Sequence, residues 1–253
     1  VACSLGLDFF STPFDSTAID FLEGLNVPVY KVASFEIVDL PLLKKIANTG
    51  KPVIVSTGMA SFPEIHDCIE TLRNNGTQDI ALLKCTSAYP ALPSEMNLRT
   101  LDHLKTTFNT VVGLSDHTLG GVTAVGAVAQ GACIVEKHFT LNRSEKGPDS
   151  EFSMEPEEFA QMVNDIRHIE QALGVVSYEL TKGEQNQRCF RRSLFVVQDI
   201  KKGDLFTKEN VRSIRPGYGL SPKHFEEVLS KVAATDVARG TPLSWDLIDG
   251  SVQ

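Results

Sequence analysis

The chain has 253 residues, 42% of them hydrophobic, and a formal net charge of -8. That length can bury a substantial core, as one large domain or a large and a small one. The acidic balance argues against a nucleic-acid or anionic-membrane surface, though not against a local basic pocket for an anionic metabolite.

The five cysteines show no CxxC pair. Reduced thiols in a cytoplasm are therefore expected, with neither a zinc knuckle nor a disulfide framework. No apolar run approaches the roughly 20 residues of a membrane span.

In chain order, Val1–Gly6 reads as the end of a helix and its glycine cap, so the chain is expected to start within a fold. Short runs of β-branched and apolar residues follow at Leu7–Phe10, Val29–Ala33, Pro52–Ser56, Ile80–Cys85, Val111–Leu114 and Ile134–Glu136. Helical patterns alternate with them, which predicts six strand-helix units with parallel strands. Asp15-Ser16 opens a helix over Ala18–Leu25, and Ser61 opens another over Pro63–Asn74, with Gly76 after it. The sixth helix is expected to be capped by Ser153, to carry Pro156 and three glutamates in its first turn, and to end at Gly174.

A spacing of about 30 residues per unit matches a TIM-type β/α barrel, which needs roughly 250 residues. Only residues 1–175 have this character, so the expected fold is such a barrel lacking its first two strand-helix units, with two exposed sheet edges. Residues 176–189 lose periodicity and read as a linker. In residues 190–253, Ser193–Val197 reads as a strand, Asp199–Asp204 as a turn and Pro222–Leu229 as a short helix, which predicts a small, mostly β domain.

The expected strand ends share a polar signature, in Ser11-Thr12, Lys31 to Ser34, Ser56-Thr57, Lys84 to Ser87, Ser115-Asp116-His117 and Glu136-Lys137-His138. Strands that stop in hydroxyl and charged groups six times over are expected to assemble one pocket at the carboxyl edge of the sheet. His117 and His138 end successive strands, and two imidazoles in register suit a divalent metal with open positions. Lys31 lies within an apolar run, where a lone ammonium is costly, so it is a candidate anion ligand. Structural roles stay open beside these: hydroxyls as caps or turn residues, Lys84 and Lys137 as partners of nearby acids, Asp116 as a cap or an orienter of a histidine, and Glu136 as partner of a lysine. His66, His103, His168 and His224 are expected at the surface. Leu141–Ser153 is a long loop of the kind that covers substrates, and Arg215 is an exposed arginine beside a rigid turn.

Phe10–Asp15, Tyr30–Glu36, Ser56–Met59, Gly113–Thr118, Glu136–Thr140 and Gly147–Asp149 together resemble the nonulosonate (sialic-acid-type) synthases, and Arg191–Ile248 resembles their antifreeze-like (SAF) domain. Within that family, Cys85–Pro90, Gly147–Ser150 and Arg215–Leu220 are most similar to the pseudaminic-acid branch; the N-acetylneuraminate branch usually has GPDH where this chain has Ser150.

The resemblance implies condensation of phosphoenolpyruvate with an open-chain acetamido-deoxy sugar, giving a nine-carbon keto sugar acid and phosphate. It implies Mn or Mg on His117 and His138, and a catalytic role for both histidines and for Lys31. Phosphoenolpyruvate would be bound by Thr12, Lys31, Ser34, Ser56, Ser87 and Ser115, and the sugar by Glu36, Tyr89 and Asp149. Arg215 and Phe190 would reach into the barrel of a second subunit in a domain-swapped homodimer. The family's catalytic glutamate and a further phosphoenolpyruvate-binding lysine belong to barrel units that these residues do not include, so the chain by itself is expected to be inactive or to be part of a longer polypeptide. Three other readings stay open: a sister synthase making N-acetylneuraminate or legionaminate by the same chemistry, a barrel metallohydrolase, which would usually add more metal ligands, and a carbohydrate-binding remnant without catalysis.

Overall fold

In the computed structural model, which describes residues 1–249, the chain divides into two compact units, Val1–Val175 and Val176 onward. The last four residues of the expected C-terminal domain, 250–253, lie outside the described residues.

The first unit is built on five parallel strands in consecutive order: β1 (Tyr30–Val32), β2 (Val53–Ser56), β3 (Ile80–Cys85), β4 (Val111–Asp116) and β5 (Ile134–Lys137). Helices α1 (Ser16–Gly24), α2 (Leu40–Ala47), α3 (Phe62–Asn74), α4 (Thr100–Phe108), α5 (Val122–Ala129) and α6 (Pro156–Leu173) alternate with them. Parallel strands linked by helices in this order form a sector of a β/α barrel. Its core packs Tyr30, Val32, Val53, Val55, Leu82, Val112 and Leu114 against Ile46, Ile69, Leu72 and Leu101 of the helices.

The expected first strand is absent. Leu7–Phe10 is irregular, Leu7 and Phe9 are exposed, and the neighbouring residue Ser11 accepts one hydrogen bond from Lys31 N at 3.4 Å. A single bond does not make a ladder, so apolar composition there gives no strand. The sheet therefore has five strands among the described residues, and β1 and β5 are its edges.

Helix starts follow their caps. Asp15 accepts hydrogen bonds from Thr17 N and Ala18 N at 2.7 and 2.9 Å, and Glu64 accepts from Ser61 N at 2.6 Å. The expected cap of α6 is corrected. Glu155 occupies the cap position, while the Ser153 hydroxyl donates to Asp149 O at 2.7 Å within the preceding loop. At the other end of α6, Gly174 has a φ of +49°.

In the second unit, residues 182–187 form a six-residue helix, α7 (Lys182–Gln187), where the sequence shows no periodicity. The Thr181 hydroxyl accepts from Glu184 N, and Glu184 accepts from Thr181 N, which closes the first turn. Two antiparallel pairs follow, β6 (Ser193–Val196) with β7 (Val211–Ile214) and β8 (Val232–Ala233) with β9 (Ile248–Asp249), beside a short helix α8 (Phe225–Val228). Leu194, Val196, Phe206, Val211 and Leu243 form their core. All five cysteines are free thiols, and no helix among the described residues is long and apolar enough to cross a membrane.

Candidate active site

A cleft of about 340 Å³ opens at the carboxyl ends of the strands, lined by Thr12, Lys31, Ala33, Ser34, Phe35, Ser56, Cys85, Tyr89, Ser115, Glu136 and Lys137 and by both candidate ligand histidines. Register decides which side chains face it. Ser115 lies opposite Glu136 and Asp116 opposite Lys137 across β4 and β5, and the pleat sends the two pairs to opposite faces.

On the cleft side, Ser115 Oγ donates to Glu136 Oε1 at 2.7 Å, and Glu136 Oε2 lies 3.6 Å from Lys31 Nζ. On the other side, Lys137 Nζ meets Asp116 Oδ2 at 2.8 Å and also donates to Thr118 O. Both side chains of this pair are essentially inaccessible, at 1% and 0% exposure. Asp116 Oδ1 also accepts from Thr118 N and from the Thr118 hydroxyl. This buried network cross-braces the two strands that carry the histidines.

Lys31 is buried in the floor of the cleft, where its ammonium donates to Ser56 Oγ at 2.8 Å and to Val32 O at 3.1 Å. Burial pushes its pKa down, with the negative charge of Glu136 as the leading opposing influence. Ser34 and Ser87 converge on Gly58: Gly58 N donates to Ser34 Oγ at 3.0 Å, and a side chain at residue 58 would strike both hydroxyls. Glu36 Oε2 is buried without a hydrogen-bond partner. Glu36, Ser87 and Asp149 are not among the residues that line the cleft.

The two imidazoles come together, with ring centroids 5.3 Å apart. His117 Nδ1 lies 2.9 Å from Thr86 O, and a carbonyl only accepts, so Nδ1 carries a proton and, in the neutral ring, Nε2 keeps the lone pair. Burial lowers the pKa of His117, but contacts with Cys85 and Thr86 O outweigh it and the net shift is upward. Burial, followed by the charge of His117, holds His138 down. Asp149 Oδ2 is 3.6 Å from His138 Nδ1. Among the described residues no group of three His, Cys, Asp or Glu could hold a metal. The donor set is thus two imidazoles, which fits a first-row divalent ion completing its shell with water or substrate oxygens.

Tyr89 stacks 4.2 Å from the His117 ring, and Phe152 packs against both Tyr89 and His138. Phe152 sits in a single 3₁₀ turn, Ser150–Phe152, which seats the Asp149 loop against the cleft. Sequence reasoning passed over Phe152; Cys85 and Glu136 lie in the polar strand ends expected to converge, though with no binding role given, and the lysine expected to pair with Glu136 is Lys31. The register of Ser115 with Glu136 is the signal that placed Glu136 in the cleft. Among the alternatives left open by the sequence, Lys137 does pair with an acid, while Lys84 Nζ donates to Cys85 O and Thr86 Oγ1 instead. His66, His103 and His168 are exposed, and His224 is half-buried against Trp245. Phe190 and Arg215 belong to the second unit, where both are exposed.

Residues 1–178 match the NeuB family and residues 191–249 the SAF domain. A pseudaminic acid synthase of Helicobacter pylori is 44% identical over 253 residues, covering 100% of this chain and 74% of that protein. An N,N'-diacetyllegionaminic acid synthase of Campylobacter jejuni is 44% identical over 228 residues, 89% of this chain and 68% of that protein. The crystal structure of a spore coat polysaccharide biosynthesis protein from Bacillus subtilis superposes with a TM-score of 0.66 at 33% identity, covering 99% of this chain and 76% of that one.

Proposed function

Because the chain belongs to the NeuB family and carries a SAF domain, we propose that it is a nonulosonate synthase, condensing phosphoenolpyruvate with an open-chain acetamido sugar and releasing phosphate. One observation carries this reading: a buried lysine among serine hydroxyls and a pair of imidazoles line the same cleft. The first set suits an anion with several oxygens, and the second suits activation of a carbonyl. Residues 1–175 form the synthase domain, 176–189 the linker and 190–253 the SAF domain.

Lys31, with Thr12, Ser34, Ser56, Ser87 and Ser115, holds the phosphate and carboxylate of phosphoenolpyruvate and offsets their charge. Glu36, Tyr89 and Asp149 bind the sugar, a role that rests on the family resemblance. A divalent ion held by His117 and His138 would supply Lewis-acid polarisation of the sugar aldehyde. Two nitrogen donors favour Mn over Mg, which prefers oxygen ligands. Loss of Mn binding on His117→Ala or His138→Ala is the direct test.

The π electrons of the enol form the new C–C bond to the aldehyde carbon, and the aldehyde oxygen takes a proton. Water adds to the cationic C2 and loses a proton. The single hydroxyl on that tetrahedral carbon then loses its proton as the C–O bond to phosphate breaks, leaving the keto acid and free phosphate. Arg215 and Phe190 serve the sugar site of a second subunit in a domain-swapped homodimer. The cytoplasm, where phosphoenolpyruvate is made, is the compartment this chemistry requires.

Pseudaminic acid is the proposed product. The pseudaminic acid synthase of H. pylori aligns along the whole chain, while the legionaminic acid synthase is equally identical over less of it. The test is phosphate release by the complete polypeptide that carries this chain, given phosphoenolpyruvate with each candidate diacetamido sugar and with N-acetylmannosamine. Turnover with the pseudaminic acid precursor supports the assignment, whereas turnover only with N-acetylmannosamine would make the protein an N-acetylneuraminate synthase.

A further inference from the structure

Lys31 has three N–H donors, and the structure accounts for two. They go to Ser56 Oγ and Val32 O, neither of which neutralises an ammonium. The carboxylate in ion-pair range is Glu136, whose Oε2 stands 3.6 Å away. That separation is too long for a hydrogen bond but short enough for charge compensation.

Glu136 is itself held from the other side, because its Oε1 accepts the Ser115 hydroxyl at 2.7 Å. Its side chain is 41% exposed, so it can move when an anion enters. One carboxylate on β5 thus ties together a lysine from β1 and a serine from β4. The other ionisable groups facing the ammonium are Cys85 on β3 and Glu36 after β1.

We propose that Glu136 is a positioning residue that keeps the Lys31 ammonium charged and aimed, and the Ser115 hydroxyl oriented, until the substrate anion takes its place. The assignment rests on the proposed anion-binding role of Lys31. It runs against the simplest electrostatic expectation, in which a carboxylate beside an anion site repels the ligand and its neutralisation tightens binding.

The experiment has two independent readouts on wild type, Glu136→Gln and Glu136→Asp in the complete polypeptide. The first is the dissociation constant of phosphoenolpyruvate by calorimetry. The second is the rate at which acetic anhydride acylates Lys31, read by peptide mass spectrometry, since only the uncharged amine reacts. Glu136→Gln is expected to weaken binding about fivefold, in line with loss of one partly exposed ion pair, and to acylate Lys31 faster by a similar factor. Glu136→Asp keeps the charge and is expected to restore most of the protection.

Equal or tighter binding by Glu136→Gln, or an unchanged acylation rate, would overturn the proposal. A purely structural role would lower Tm in both variants alike, and that too counts against it. If wild type does not bind phosphoenolpyruvate at all, the functional reading falls, while the acylation rates still decide the role of Glu136.

Discussion

Lys137→Met tests the brace behind the histidines. The variant keeps the length and apolar stem of the side chain but removes the ammonium that lies 2.8 Å from Asp116 Oδ2 and donates to Thr118 O. What remains is a fully buried carboxylate with only the two Thr118 donors. Removing one partner of a buried ion pair costs about 3–5 kcal/mol. At roughly 2–4 °C per kcal/mol for a unit of this size, Tm should fall by about 6–20 °C.

Far-UV circular dichroism is the readout, because the long helices lie in the first unit; Trp245, the sole tryptophan, lies in the second. Adding Asp116→Asn to Lys137→Met should recover part of the loss, with a coupling energy of about 0.5–3 kcal/mol between the two sites. A loss below about 1 kcal/mol, the level of a solvent-exposed pair, would refute the buried brace.

Gly113→Ala would place a Cβ 2.5 Å from Ile134 O and 2.6 Å from a Leu83 methyl, so β4 and β5 must part. A stability loss of about 1–3 kcal/mol by denaturant titration is expected, together with reduced Mn binding as the histidine pair spreads. Gly58→Ala forces the Ser34 and Ser87 hydroxyls aside and costs Gly58 N its acceptor; calorimetry should show weaker phosphoenolpyruvate binding, and unchanged affinity would argue against those hydroxyls as ligands.

Glu23 is bonded by Lys51 Nζ at 2.7 Å and by the Tyr30 hydroxyl at 2.8 Å, and these two donors hold its carboxyl below its ordinary 4.5. Its stabilisation is complete above that ordinary value and is lost as pH falls through the lowered one. The stability gap between wild type and Glu23→Gln should therefore be constant near neutrality, stay below about 1 kcal/mol at this half-exposed site, and close in acid. A gap that widens in acid would contradict the pairing.

The strand ends were the legible part of the chain. A lysine inside an apolar run, hydroxyls after β2 and β3 and a histidine just beyond β4 and β5 can be read as converging groups because parallel strands bring all their carboxyl ends to one edge. Leu7–Phe10 misled for a related reason: composition marks a segment able to pair, whereas a strand exists only where a neighbour supplies the ladder. Ser153 has a good capping side chain, but the Asp149 loop claims its hydroxyl, and Glu155 takes the cap instead.

Phe152 was hidden because its contacts with Tyr89 and His138 depend on how a long loop folds back, which periodicity does not encode. Glu136 was legible as the partner of a barrel lysine, which is Lys31, but not as the link between that lysine and Ser115. Its place between Lys31 and Ser115 needs the register of β5 on β4 and the reach of a side chain from β1.

The most direct measurement follows the bridging oxygen of phosphoenolpyruvate. The complete polypeptide carrying this chain is incubated with phosphoenolpyruvate labelled at that oxygen and with the acetamido sugar, and both products are read by mass spectrometry. The account predicts an unlabelled nine-carbon keto acid and labelled phosphate, because water adds at C2 and the C–O bond breaks. Label retained in the organic product, phosphate formed without sugar, or no nine-carbon acid at all would contradict it.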